Sequence, residues 1–95
     1  MAGPVITREE TASGGQWTAR LNGHEAEMTY SKAGAHRIII DHTGVPDALR
    51  GKSVGKALVE AAVEAARAEG FKIIPLCPFA KATLAKHPEW QDVVA

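Results

Sequence analysis

The segment around Asn22-Gly23 constrains the fold of this chain more than any other, because its turn and its flanking residues specify the same pairing. Apolar and polar residues alternate over 16–21 and again over 25–31, as they do in strands that bury one face. Asn-Gly is the favoured pair in a two-residue type I′ turn, since both positions need positive φ. Such a turn brings apolar residues of the two strands opposite one another, in the pairs Ala19–Ala26 and Trp17–Met28. We therefore predict an antiparallel hairpin with a fixed register.

Beyond the hairpin, the order of patterns predicts a helix that crosses between two parallel strands. Residues 37–41 are isoleucine-rich without alternation, which is typical of a central strand covered on both faces. Residues 54–69 are alanine-rich and are followed by Gly70, a C′ glycine, and residues 71–74 predict the next strand. A right-handed crossover makes these two strands parallel. The predicted fold class is therefore α/β (a mixed sheet of α+β type), with an antiparallel β-meander followed by a β-α-β crossover.

The two ends of the chain carry weaker patterns. Val5-Ile6 is compatible with a short edge strand or with no regular structure. Residues 80–86 predict a short helix that ends before His87-Pro88, because the residue before proline disfavours α geometry. We expect a C-terminal turn to be capped by His87 and Glu89 and to pack through Trp90, Val93 and Val94. The predicted core combines the apolar hairpin face with one side of helix 54–69, namely Val54, Ala57, Leu58, Ala61, Ala62 and Ala65.

Length and composition limit the class of protein. Ninety-five residues, 45% of them apolar and with zero formal net charge, suit one folded domain that spans 1–95. Balanced charge disfavours a nucleic-acid binder, which draws on a surplus of Lys and Arg, and no apolar run is long enough to span a membrane. Cys77 is the single cysteine, so we expect a reducing compartment, by default the cytoplasm. The expected state is a monomer or weak dimer.

The histidines and the cysteine do not form a metal-binding pattern. They are scattered along the chain, at His24, His36, His42, Cys77 and His87. Metal ligands on one element have short, regular spacing, which these residues lack. We therefore expect no metal site.

The segment Arg50-Gly51-Lys52-Ser53-Val54-Gly55-Lys56 predicts an anion site where the long helix begins. Free amide N–H groups and the helix dipole attract negative charge there, and glycines let the backbone approach a ligand closely. The side chains of Arg50, Lys52 and Lys56 add formal charge. We predict that the ligand is a phosphate, and specifically a pyrophosphate. A P-loop is excluded, because the position where it needs its first glycine is Pro46.

The sequence on both sides of this loop resembles a known family. Residues 50–58 are similar to the acyl-CoA-binding motif R/Q-x-x-G-x-G/A of the GCN5-related N-acetyltransferases, with Arg50 and Gly55 matching and Ser53 in place of the first glycine. Three further segments resemble a small single-domain subfamily: His42-Thr43-Gly44-Val45-Pro46, Ile74-Pro75-Leu76-Cys77-Pro78-Phe79 and His87-Pro88-Glu89-Trp90. The resemblance covers residues 15–94.

The resemblance implies a fold that binds acetyl-CoA or coenzyme A, with the backbone amides of residues 51–56 on the pyrophosphate. It also implies that Thr43, Gly44 and Val45 lie beside the pantetheine arm and that the thioester lies where the two parallel strands splay apart. Full-length relatives carry N-terminal helices over the acceptor amine, and this chain resembles a shortened version without room for them.

Two residues are candidates for the chemistry that the resemblance implies, transfer of acetyl to an amine of a small molecule or protein. His42 follows the central strand and has a side chain suited to accept a proton, or it is only hydrogen-bonded in a turn. Cys77 follows strand 71–74 at the sheet end that carries the loop, so its thiolate is a candidate nucleophile.

We expect the prolines beside Cys77 to expose the thiol, and basic groups and amides to lower its pKa. One alternative is direct transfer without an enzyme nucleophile, with Cys77 as a packing residue. The other is a regulatory module that binds acyl-CoA without turnover.

Overall fold

Five strands form one mixed sheet in the order β1-β2-β3-β4-β5. The computed structural model describes residues 3–95. The strands are Val5–Glu10 (β1), Gly14–Leu21 (β2), His24–Lys32 (β3), Arg37–Gly44 (β4) and Lys72–Pro75 (β5). The helices are Val54–Glu69 (α1) and Pro78–Ala85 (α2), with two 3-10 helices at Asp47–Leu49 and Pro88–Val93. Strands β1 to β4 pair antiparallel and β5 pairs parallel with β4, which confirms the predicted mixed α/β fold.

The β2–β3 hairpin has the register that its turn predicts. Asn22 and Gly23 have φ values of 53° and 78°, as a type I′ turn requires. The predicted pairs form, Trp17 with Met28 and Ala19 with Ala26. All four side chains are buried in the core beneath α1. Local turn chemistry and burial therefore specify the same register.

Strands β4 and β5 end at different levels of the sheet. Their ladder stops where Ile40 pairs with Pro75, whereas β4 runs on to Gly44. The N–H of Cys77 donates to the Ile40 carbonyl at 3.0 Å, and the chain then turns into α2. Within residues 3–95, the last part of β4 has no ladder partner on the β5 side, which agrees with the predicted separation of the two strands.

A β-bulge lies in β4 at the same level. Tyr30 pairs with Ile40 and Thr29 pairs with His42, so that Asp41 is an extra residue on β4. A bulge of this kind bends a strand and changes where the following side chains point. The Ser31 hydroxyl donates to the Asp41 carboxylate at 2.7 Å, which holds the bulged residue beside β3.

The boundaries of several elements differ from the sequence-based predictions, most clearly those of β1, β4 and α2. Strand β1 is a full six-residue edge strand paired with β2, although its charged residues gave no alternating apolar signal. Strand β4 continues three residues beyond position 41. Helix α2 starts at Pro78 rather than at 80, because proline is well tolerated in the first helical turn.

The buried side of α1 is rotated from the side that its alanines predicted. The fully buried residues are Val54, Gly55, Leu58, Val59, Ala62, Val63 and Ala66. Three predicted core alanines, Ala57, Ala61 and Ala65, are only half-buried. Burying the side chains of Val59 and Val63 removes more apolar surface from water than burying alanine methyl groups. The helix therefore turns its two valines toward the sheet.

The C-terminal segment packs onto the core as predicted, through the buried side chains of Trp90 and Val93. Val94 forms an isolated parallel bridge with Ile73. Ile39 of the central strand is half-buried, so the predicted cover on both faces of β4 is incomplete. No helix among residues 3–95 is long and apolar enough to cross a membrane.

Candidate functional site

The loop before α1 leaves successive backbone amides free. Gly51 and Ser53 have φ values of 77° and 60°, and the hydroxyl of Ser53, the N-cap residue, makes no capping hydrogen bond. Within residues 3–95, no backbone carbonyl and no capping side chain accepts a hydrogen bond from the N–H groups of residues 53–56. Unpaired amides at a helix N-terminus are suited to bind an anion.

These amides border a cavity of about 530 Å³. The cavity runs between the end of β4, the first turn of α1 and one side of α2. Its volume is in the range of sites that hold drug-sized ligands and cofactors. Its lining consists of Thr43, Val45, Leu49, Arg50, Gly51, Ser53, Val54, Gly55, Lys56, Phe79, Thr83, Lys86 and His87.

Most of the residues predicted to contact the cofactor line this cavity, and two do not. Those that do are Thr43, Val45, Arg50, Gly51, Ser53, Val54, Gly55 and Lys56. Gly44 lies against the Glu27 side chain on β3, where an added Cβ would be 2.5 Å from Glu27 Oε1. Lys52 is exposed and outside the lining. Arg50 pairs with Asp47 at 3.2 Å, and both of these side chains are largely exposed.

Five lining residues were not predicted: Leu49, Phe79, Thr83, Lys86 and His87. Phe79, Thr83 and Lys86 follow one another at i, i+4 and i+7, which puts them on one side of α2. That spacing was visible in the sequence. The sequence did not show that this side of α2 packs beside the α1 loop, because that packing depends on contacts between residues distant in the chain.

Gly55 lies in close contact with a neighbouring side chain, the ring of Phe79. A Cβ at Gly55 would lie 2.5 Å from Cζ of the Phe79 ring, so glycine lets α2 pack closely on the first turn of α1. The sequence-based explanation, close approach of the backbone to a phosphate, is therefore incomplete. A bulky residue at Gly55 would move Phe79 as well as obstruct a ligand.

Cys77 is buried at the N-cap of α2, with 5% of its surface exposed. The prediction that the flanking prolines expose it is wrong, because the thiol packs in the core behind Thr43. Its Sγ lies 3.5 Å from Thr43 Oγ1. Burial opposes ionisation of the thiol, but hydrogen bonds from the Thr43 hydroxyl and from the Ala80 and Phe79 amides lower its pKa below the ordinary value.

The lowered pKa of Cys77 agrees in direction with the sequence-based prediction. The leading causes are the Thr43 hydroxyl and local amides rather than the basic side chains of the α1 loop. Thr43 connects the thiol to the cavity, since Thr43 is itself part of the lining. The structure thus places Cys77 one side chain away from the predicted cofactor site.

His42 lies on the other face of β4 from Thr43. Its neighbour across the strands is Thr29, its side chain is 65% exposed, and its Nε2 is 3.8 Å from Glu27 Oε1. His42 is not part of the cavity lining. The structure therefore does not bring the two predicted catalytic residues together.

His87 is held in place at the cavity edge by two neighbours. Its Nδ1 lies 3.0 Å from Glu89 Oε2, and its ring stacks on Trp90 with centroids 4.0 Å apart. It makes no side-chain cap of the following 3-10 helix, so the predicted capping role is wrong. Among residues 3–95, no group of three His, Cys, Asp or Glu side chains is arranged to hold a metal ion.

Comparison with known proteins shows which family the chain is similar to. Residues 16–93 match the family model of the GCN5-related N-acetyl-transferases. Over 75 residues, the chain is 35% identical to protein NATD1 of Gallus gallus and of Homo sapiens, a match that covers 77% of this chain and 68% and 66% of those proteins. The chain thus spans about two thirds of the length of these relatives.

Two solved structures are similar to this one. The NMR solution structure of a GCN5-like candidate N-acetyltransferase from Staphylococcus aureus is 40% identical with a TM-score of 0.76, covering 100% of this chain and 91% of that one. The ribosomal-protein-alanine N-acetyltransferase from Brucella melitensis biovar Abortus 2308 is 18% identical with a TM-score of 0.63, covering 90% and 66%, a similarity of fold alone. This chain therefore belongs to the GCN5-related N-acetyltransferase family.

Proposed function

We propose that this protein binds acetyl-CoA and transfers the acetyl group to an amine. The observation that carries the proposal is one continuous cavity. The free amides of the α1 loop border it at one end, and Thr43, next to the gap between β4 and β5, borders it at the other. In acetyl-CoA the pantetheine arm joins the diphosphate to the thioester, and the cavity is lined both by the α1 loop and by Thr43.

The phosphate end fits the chemistry of the loop. The N–H groups of residues 53–56 supply hydrogen-bond donors, and the positive end of the α1 dipole faces the same space. Lys56 adds a formal charge within the lining. Arg50 contributes less, because its guanidinium is exposed and already paired with Asp47.

The other end of the cavity fits an extended amide-containing chain. Strand β4 continues past the last β4–β5 pair, so the edge of residues 42–44 is available for backbone hydrogen bonds of the kind that join strands. Thr43 and Val45 face the cavity from this edge. Acetyl-CoA, when bound, supplies an acetyl group activated as a thioester.

Of the two predicted catalytic residues, Cys77 is the better supported. Its thiol is hydrogen-bonded to a lining residue and its pKa is lowered, whereas His42 lies outside the cavity. The Cys77 thiolate would attack the acetyl carbonyl, forming a thioester at Sγ as the bond from the carbonyl carbon to the CoA sulfur breaks and CoA leaves as its thiolate. Attack by a neutral amine would then form the amide, break the carbonyl–Sγ bond and restore the Cys77 thiolate. The amine's proton leaves to solvent or to the released thiolate. Direct attack of the amine on the cofactor remains the alternative route.

Calorimetry and an acetyl-transfer assay test the proposal. The protein should bind CoA with a stoichiometry of about one, and acetyl transfer should be measurable to at least one amine among lysine peptides, polyamines and amino acids. Cys77→Ser should abolish transfer and leave CoA affinity nearly unchanged if Sγ carries acetyl. Full activity of Cys77→Ala would establish direct transfer, and absence of CoA binding would contradict the proposal as a whole.

A second candidate function is binding of acyl-CoA without turnover. Two observations favour this function: Cys77 is buried, and His42 lies outside the cavity. Neither the thiol nor the imidazole is therefore exposed to a ligand in the cavity. Such a module would bind CoA in the calorimeter and transfer acetyl to none of the amines, with or without Cys77.

A further inference from the structure

The β4 bulge lies between the two contacts that hold Cys77 against this strand. The Cys77 N–H donates to the carbonyl of Ile40 at 3.0 Å, and the Cys77 Sγ lies 3.5 Å from Thr43 Oγ1. Between these contacts β4 carries the extra residue, Asp41, and then His42. The position of the Thr43 hydroxyl relative to the thiol therefore depends on the backbone of the bulge.

The extra residue also decides which side chains of β4 face the helices. Ile40 is fully buried in the core, so a strand without a bulge would turn residue 42 toward the core and residue 43 away from it. The insertion of Asp41 exchanges the two. Thr43 lies opposite the buried Met28 and lines the cavity, whereas the side chain of His42 is 65% exposed. The bulge thus brings Thr43 to the thiol and to the cavity.

One side-chain hydrogen bond holds the bulge against the neighbouring strand. The Ser31 hydroxyl of β3 donates to the Asp41 carboxylate at 2.7 Å, and within residues 3–95 this carboxylate makes no ion pair. Hydrogen bonds to a charged acceptor are stronger than those between neutral groups. A bulge leaves its extra residue without a ladder partner, so this bond attaches Asp41 to β3 where the ladder does not.

We propose that Ser31 and Asp41 are positioning residues for the Cys77 thiol. Their hydrogen bond fixes the bulge, and the bulge sets where Thr43 points. Neither Ser31 nor Asp41 lines the cavity, so both act through Thr43, which contacts the thiol and the cavity. Their role rests on the proposed function, which assigns the cavity to acetyl-CoA and the thiol to the transfer of acetyl. Without the bond, the Thr43 hydroxyl would spend less time at hydrogen-bond distance from Sγ.

Titration of the thiol in the ligand-free protein, followed by thiolate absorbance, tests this inference. Burial alone would raise the pKa of the Cys77 thiol, and the Thr43 hydroxyl contributes most to lowering it. Ser31→Ala removes the donor to the bulge, so it should raise this pKa toward the ordinary value, in the same direction as Thr43→Val. Ser31→Thr keeps a hydroxyl and should titrate as the wild type does. Gln16→Ala is the matched control, because it removes another side-chain hydrogen bond of the sheet, to Thr18 at 3.0 Å, and should leave the titration unchanged.

A double variant tests whether the serine acts through the aspartate. In an Asp41→Ala background the bond is already lost, so the addition of Ser31→Ala should shift the thiol titration no further. A further shift there would overturn the inference, as would a wild-type titration of Ser31→Ala or an equal shift in Gln16→Ala. The proposed function is judged separately, because absence of CoA binding would contradict it and leave these ligand-free titrations unaffected.

Discussion

Ser53 is in a backbone conformation that its residue type disfavours. Its φ of 60° and ψ of 22° lie in the left-handed region, where a Cβ costs about 1–2 kcal/mol relative to glycine. The acyl-CoA-binding motif has glycine at this position, and the structure gives the physical reason for that glycine. Serine occupies this position in an exposed loop at the start of α1, where its hydroxyl makes no capping hydrogen bond.

Ser53→Gly should therefore stabilise the fold. Relief of the left-handed strain exceeds the added entropy of the unfolded chain, and we expect a net gain of about 0.5–1 kcal/mol in the free energy of unfolding. Urea denaturation measures it. Ser53→Ala is the control, because alanine keeps the strain and should give no gain. A destabilised Ser53→Gly would show that the serine hydroxyl, not φ, governs this position.

The Cys77 thiol gives a second prediction at the scale of one residue. The Thr43 hydroxyl helps to lower the pKa of the thiol, so Thr43→Val should raise that pKa toward the ordinary value, while Thr43→Ser should preserve it. Thiolate absorbance measured against pH reports the midpoint directly. Because the folded protein ionises first, the wild type should also gain stability relative to Thr43→Val as pH rises through its folded pKa toward the ordinary thiol value. Identical titrations of the two proteins would contradict this account.

At the scale of elements, the side chain of Arg8 joins strand β1 to the body in addition to the backbone ladder with β2. Its Nε donates to the Tyr30 hydroxyl at 3.1 Å, and its guanidinium lies 5.0 Å from the Trp17 ring centroid. It also pairs with the carboxylates of Glu10 and Glu69. One side chain thus connects the edge strand to β2, β3 and the end of α1.

Arg8→Met should destabilise the protein by about 1–2 kcal/mol, through loss of the Tyr30 hydrogen bond and of the stacking on Trp17. The ion pairs contribute less, because both carboxylates are more than 40% exposed. Arg20→Met is a matched control: Arg20 also pairs with a glutamate, but its side chain is 59% exposed, so the change should stay within about 0.5 kcal/mol. Equal effects of the two variants in chemical denaturation would sink this explanation.

At the scale of the whole molecule, ligand binding and folding should be coupled. The described residues, 3–95, share one hydrophobic core, which predicts a single cooperative unfolding transition. CoA at about 100 times its Kd should stabilise the folded state by about 2.7 kcal/mol. The rise in Tm should shrink as salt is added, because the proposed site binds the phosphates of CoA. Pantetheine, which lacks phosphates, serves as the comparison. A salt-independent shift with CoA, or two separate transitions, would contradict this view.

The sequence by itself determined the features that depend on local chemistry. Asn22-Gly23 and the alternating residues beside it specify the hairpin register, since only one pairing puts the apolar side chains on one face. Gly70 ends α1, and the crossover makes β5 parallel to β4. The free amides before α1 also follow from residues 50–56, because every helix start leaves amides unpaired.

Only the tertiary structure decided how these parts meet. Phe79 packs against Gly55, Cys77 is buried behind Thr43, and His42 faces away from the cavity that was expected to include it. The orientation of α1, with Val59 and Val63 against the sheet, likewise depends on how much apolar surface the sheet can bury. Such contacts join residues far apart in the chain, and their energies depend on distances that spacing along the sequence does not fix. Local pattern therefore specified the elements, and long-range packing specified the site.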